Sequence, residues 1–342
     1  MIPYVDKAID LVKELKLTTN HHPWEIQHGI LANGTDYKIS DPWGNEINAL
    51  DFLLRGTDVE WYPIPGGIVR EDKHGYPYFI EKERGLEADI HLNLFLGEFS
   101  TIGVDLDSNT VLTNLENEYP LRKVLERAML YTFPSKWKED KEEPTWVITA
   151  FSRYLPQGLW KNIKGEEASL EDIVAYANEL EMGFGSCMGT HVMEGLATAI
   201  INYMKKTGLS PDEFQSPWHQ AHQKLELAIS LVREHQRKDG SIPRLWFKSD
   251  LMPRNLKGVK LVLEQIVGIA FLKPREILYP TGHTLDWLVP YLPTKVLSQD
   301  WVIKAVEITA QTIVEHFDKL SKEVSPLTHA AHALKLYRDK VM

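Results

Sequence analysis

The sequence predicts an all-α fold, with helical hairpins closed into an α/α toroid. Three observations carry this expectation. Apolar residues recur at helical spacing along most of the chain. Two kinds of helix alternate: long ones, charged on one side, over 4–17, 108–132, 215–238 and 299–322, and shorter ones, apolar nearly all round, over 23–33, 187–204, 282–291 and 326–338. A helix apolar on every side is a buried helix, so the short kind forms an inner ring and the long kind an outer one. No low-complexity linker interrupts the chain, and residues 1–342 read as a single domain.

The elements follow in order. "VDKAIDLVKELKL" is amphipathic, an outer helix. "HHPWEIQHGILANG" opens on Pro23, whose missing N–H costs nothing in a first turn, and stops at Asn33-Gly34. Residues 57–84 hold prolines, glycines and aromatics and read as a long irregular loop or β-hairpin excursion, the only place where strands are expected. Helical pattern returns in "DIHLNLFLGEF" and "PTWVITAFSRYLP". "SLEDIVAYANELEM" starts with Ser169 and Asp172 in capping-box spacing. "CMGTHVMEGLATAIINYMKKTG" closes on Lys-Lys and Gly. A helix over 255–272 and the segments "GHTLDWLVPYLP" and "THAAHALKL" complete the series.

Composition excludes several classes of function. The net charge of −10, with no long Lys/Arg cluster, argues against nucleic acid as a partner. No apolar run reaches membrane-spanning length, and the first residues lack the pattern of a signal peptide, so a cytoplasmic location is expected. The single cysteine, Cys187, rules out an intrachain disulfide. No P-loop, dinucleotide fingerprint or nucleophile elbow is present.

The inner helices share one polar face. Glu25, His28, Gly29 and Ala32 lie together at helical spacing, as do Cys187, His191, Glu194, Gly195 and Thr198. His283 with Asp286, His329 with His332, and His91 with Glu98 repeat the theme. Acids and imidazoles on apolar helices must meet something polar, because leaving them buried and unpaired costs several kcal/mol each. A polar central cavity is expected. Glu25, His28, His191, Glu194, His283 and Asp286 are the candidate catalytic groups, and His91, Trp24, Trp61 and Trp287 the candidate substrate contacts. Paired carboxyls suit glycoside cleavage, and histidines suit lyase or epimerase chemistry. The expected substrate is an oligosaccharide or similar polar small molecule, with no cofactor. The alternative is zinc held by Cys187, His191 and His283, with an open fourth position. A non-catalytic ligand-binding or scaffold role is the third reading.

The loop "QRKDGSIPRLWF" after a long outer helix resembles a segment of the terpenoid-cyclase and prenyltransferase branch of the α/α-toroid proteins. Gln236, Asp239, Gly240 and Ser241 match that segment, while Ile242-Pro243 stands where an aromatic is usual. The resemblance implies the toroid fold. The same architecture carries six-hairpin glycosidases, polysaccharide lyases and sugar epimerases. It also carries lanthionine cyclases and protein prenyltransferases, which hold zinc with cysteine and histidine.

Overall fold

The computed structural model describes residues 3–55, 67–80, 91–155, 158–247 and 273–341. The chain is mostly helical. Its residues group into two compact units, one formed by Met1–Leu15, Leu180–Ile201 and His219–Met342, the other by Lys16–Glu179 and Asn202–Trp218.

The second unit joins helices to short antiparallel hairpins. Its helices are α2 (Pro23–Asn33), α3 (Ala49–Leu54), α4 (Leu94–Ile102), α5 (Arg122–Tyr131), α6 (Pro134–Asp140), α7 (Thr145–Tyr154) and α8 (Leu170–Glu179). Between them lie β1 (Lys38–Ser40) with β2 (Glu46–Asn48), β3 (Val69–Glu71) with β4 (Pro77–Phe79), β5 (Thr110–Leu112) with β6 (Glu118–Pro120), and β7 (Leu159–Lys161) with β8 (Glu167–Ser169). The β3–β4 hairpin falls inside the expected excursion; the other three correct the expectation that strands occur only there. Residues 108–132, expected as helix with a break near Pro120, are the β5–β6 hairpin, which ends at Pro120, followed by α5.

These hairpins are copies of one device. Each turns through five residues, and the first side chain of each turn accepts from the backbone N–H groups two and four residues on. Asp41 takes Trp43 and Asn45; Asp72 takes His74 and Tyr76; Thr113 takes Leu115 and Asn117; Asn162 takes Lys164 and Glu166. The fourth turn residue has positive φ every time: Gly44, Gly75, Glu116 and Gly165. Asp, Asn and Thr suit the first position because a short acceptor mimics a turn carbonyl, and Gly suits the fourth because it has no Cβ. The apolar strand residues Ile39, Val69, Val111 and Trp160 are buried. In the same unit α4 and α7 pack closely, with a Cβ added at Gly97 only 2.8 Å from the Trp146 ring.

The first unit holds α1 (Val5–Lys13), α9 (Thr190–Thr207) through Ile201, α10 (Trp218–His235) from His219, α11 (Pro274–Tyr291), α12 (Asp300–Leu320) and α13 (Val324–Val341). Val5, Ala8, Ile9 and Val12 are the buried stripe of α1, which packs on α12 and α13. The axes of α11 and α13 come close because Gly282 faces Ala330; an added Cβ would stand 2.9 Å from the Ala330 methyl. The helix expected to begin at Cys187 begins at Thr190, and Cys187 lies on the single 3-10 turn Ser186–Gly189 before it. The helix expected over 255–272 lies outside the described residues. Among the described residues no helix is long and apolar enough to cross a membrane.

Candidate functional site

The site is built where the loop 181–189 runs into α9. Three consecutive residues, Cys187, Met188 and Gly189, have positive φ, a conformation that costs non-glycine residues about 1–3 kcal/mol each. The backbone is crowded there: a Cβ at Gly189 would stand 2.2 Å from the Met182 carbonyl. Thr190 Oγ1 donates to the Cys187 carbonyl at 2.7 Å and holds the turn.

This turn brings the Cys187 sulfur against two imidazoles. One ligand atom from each of Cys187, His191 and His283 lies within 4.8 Å of the others. His191 sits in the first turn of α9, and His283 on α11. The His191 and His283 rings are stacked with centroids 5.5 Å apart. Nδ1 of His283 donates to the Tyr279 carbonyl at 2.8 Å, one helical turn back. That bond fixes the tautomer and leaves the Nε2 lone pair for the site. His283 Nε2 is buried and has no hydrogen-bond partner among the described residues. The Tyr279 hydroxyl donates to the Cys187 sulfur at 3.1 Å.

A second cluster adjoins the first. Asp286, on α11, accepts from His329 Nδ1 at 2.7 Å and from His332 Nδ1 at 2.6 Å, both on α13. The His329 ring lies 4.0 Å from the His283 ring. Asp286 thereby fixes His329 with Nδ1 protonated and Nε2 basic.

The electrostatics follow from this packing. Burial pushes the Cys187 thiol up, but the His191 and His283 rings outweigh it and bring it down to about 3. These neighbours favour the thiolate, the form that binds metals. Burial and the adjacent Cys187 sulfur both raise the Tyr279 phenol, so it stays a hydrogen-bond donor. Burial opposes ionisation of Asp286, and the two imidazoles that it bridges reverse this and hold it well below the usual carboxylate range. Burial and the neighbouring His283 ring lower His329 to about 4, so it is a neutral base at pH 7.

Met188 lines a cavity of about 650 Å³ with Glu181, Met182, Phe184, Leu245 and Phe247. Polar and apolar surface share its walls about equally, and its size is that of a small-molecule pocket.

The remaining sequence candidates fall as follows. Glu194 lies on α9 and is buried. Trp287 is 1 % exposed, so its ring is covered by protein. Glu25, in the second unit, closes a capping box: its Oε2 accepts from the His22 N–H at 3.0 Å, and His22 Nδ1 accepts from the Trp24 N–H at 3.1 Å. It does not pair with His28, whose Nδ1 bonds the Trp24 carbonyl and whose Nε2 stands 3.8 Å from Glu98. The Trp24 ring packs on His28 at 4.3 Å, and His91 lies 6.5 Å from the Trp146 ring. Trp61 is outside the described residues. The residue that sequence reasoning missed is Tyr279. Its position four residues before His283, on the same helix face, was the available signal.

Comparison with protein families, curated proteins and solved structures finds no match for this chain.

Proposed function

We propose that the first unit carries a zinc-type metal centre held by Cys187, His191 and His283, and that the protein is a metal-dependent enzyme acting on a small molecule. The observation that carries this reading is the approach of the Cys187 sulfur and two imidazole nitrogens to within 4.8 Å of each other, with both histidines buried. One sulfur and two nitrogens suit zinc, and three protein ligands leave a fourth position for water or substrate. His283 has the second bond usual for a ligating imidazole, from its other nitrogen to a backbone carbonyl.

When bound, the metal supplies Lewis-acid activation of a water or substrate oxygen. The protein groups do the rest. Tyr279 holds the sulfur through its hydroxyl and the His283 ring through its carbonyl. Asp286 keeps the neutral His329 oriented as a proton acceptor. The cavity beside Met188 admits the substrate, and its Met and Phe walls favour a molecule with an apolar part. Acid–base cleavage of a carbohydrate by Glu25 with Glu194 draws less support, because Glu25 is engaged in a helix cap. The α/α toroid is the architecture that we propose; the alternation of helices supports it.

The test is metal content. Protein purified without chelator is expected to hold one zinc per chain. Cobalt substitution should give an intense thiolate charge-transfer band that is lost in Cys187→Ser. Protein that stays metal-free after zinc reconstitution would overturn the reading. A second reading makes Cys187 a free nucleophile, favoured by its strained turn and thiolate-favouring neighbours. Alkylation by iodoacetamide separates the two, because zinc protects the thiolate only in the first.

A further inference from the structure

After α10 the chain turns back through residues 236–241. Gln236 Nε2 donates to the Gly240 carbonyl at 2.8 Å and to the Trp301 carbonyl at 2.7 Å, which clips this turn onto the start of α12. Gly240, at φ +95°, lies directly on that helix; an added Cβ would stand 2.4 Å from the Lys304 carbonyl. Turn and helix flank an open surface cleft of about 570 Å³, lined by Arg233, Arg237, Lys238, Lys304 and Asp300 together with Gln299. Four cations thus face one carboxylate, in a chain of net charge −10.

Local helix electrostatics account for only part of this gathering. Arg233 sits in the last turn of α10, where a cation is favoured. Lys304 lies one turn into α12, near the end that disfavours cations. Arg237 is tied to Ser241 Oγ at 3.1 Å. Among the described residues no ion pair holds Arg233, Lys238 or Lys304. All three are exposed, so water and salt screen part of their mutual repulsion, and an anion entering the cleft would relieve the rest.

We propose that this cleft binds a small anion carrying two or more charges, of the phosphate-ester or diphosphate class. Guanidinium groups present paired donors to phosphate oxygens, and lysines add point charge. The volume is that of a small-ligand site. The inference stands apart from the metal centre, which shares none of these residues.

Calorimetric titration of the full chain with inorganic pyrophosphate tests it. Pyrophosphate also chelates metals, so the Cys187→Ser chain is titrated beside the wild type. Both are expected to show one saturable site. Lys304→Gln and Arg233→Gln should each weaken binding about tenfold, the loss expected for one charge-assisted contact. Asp300→Asn should tighten it. Weak association with several equivalents, binding that needs Cys187, or binding untouched by both cation substitutions would overturn the proposal.

Discussion

Tyr279 donates its hydroxyl to the Cys187 sulfur at 3.1 Å, and the same residue's carbonyl accepts from His283. One side chain and its own backbone thus position two of the three groups that meet at the site. Tyr279→Phe keeps the ring and the carbonyl and removes one donor. Metal affinity is expected to fall about tenfold, the usual loss for an outer-shell partner. Competition with a chelator of known affinity measures this, and the cobalt–thiolate band should shift as the sulfur loses its hydrogen bond. Unchanged affinity and an unmoved band would remove Tyr279 from the site.

Asp286 lies buried between two protonated Nδ1 atoms. Asp286→Asn leaves one acceptor oxygen where two imidazoles each need one. The expected cost is about 3 kcal/mol, the scale for removing one partner of a buried charged cluster. Urea unfolding of the metal-free chain gives the value. A loss below about 0.5 kcal/mol would mean that the bridge contributes little.

Asp72 predicts a pH dependence in the second unit. Its carboxylate accepts from the His74 and Tyr76 N–H groups and from Arg127 Nε at 3.2 Å. Burial pushes its carboxyl up, but these donors and the Arg127 charge prevail and hold it below its ordinary value. The unfolded chain therefore binds more protons in the acid range. The stabilisation is complete above about pH 4 and is lost as pH falls through the lower native value. Asp72→Asn should lower stability at pH 7 and flatten the acid limb of a plot of melting temperature against pH. Parallel acid limbs in the two proteins would contradict this.

The hairpin turns give a stabilising prediction. Glu116 holds φ +61° at the position where the other three turns carry glycine. Its side chain is exposed. Glu116→Gly relieves the left-handed strain and is expected to stabilise the chain by about 0.5–1 kcal/mol. A rise in melting temperature is the readout, and a fall would mean that the glutamate makes up for its backbone.

Much of the helical skeleton was legible because its signals are local. Pro23 and Asn33-Gly34 bound α2 as read, and Ser169 with Asp172 caps α8 by side chain and backbone alike. The hairpins were not legible, because three-residue strands are too short for an alternation of period two. Their signature lies in the turns, as Asp41, Asp72, Thr113 and Asn162 each followed three residues later by a positive-φ residue. Chemical variety at the first position and Glu116 at the fourth hide that repeat from an identity-based reading.

By itself the sequence determined many of the helices and which of them are apolar enough to be buried, since capping and periodicity act over a few residues, but not the hairpins. It also placed Cys187, His191 and His283 among the candidates, because polar groups on buried helices need partners. It did not distinguish Glu25, which serves a helix cap, from a group facing a site, because a cap and an inner face use the same spacing. Tertiary structure alone decided that the Cys187 sulfur meets an imidazole some ninety residues away on α11, and that Tyr279 joins them. That meeting depends on a positive-φ turn whose crowding forbids a Cβ at Gly189, and such a contact between distant segments leaves no periodic trace in either of them.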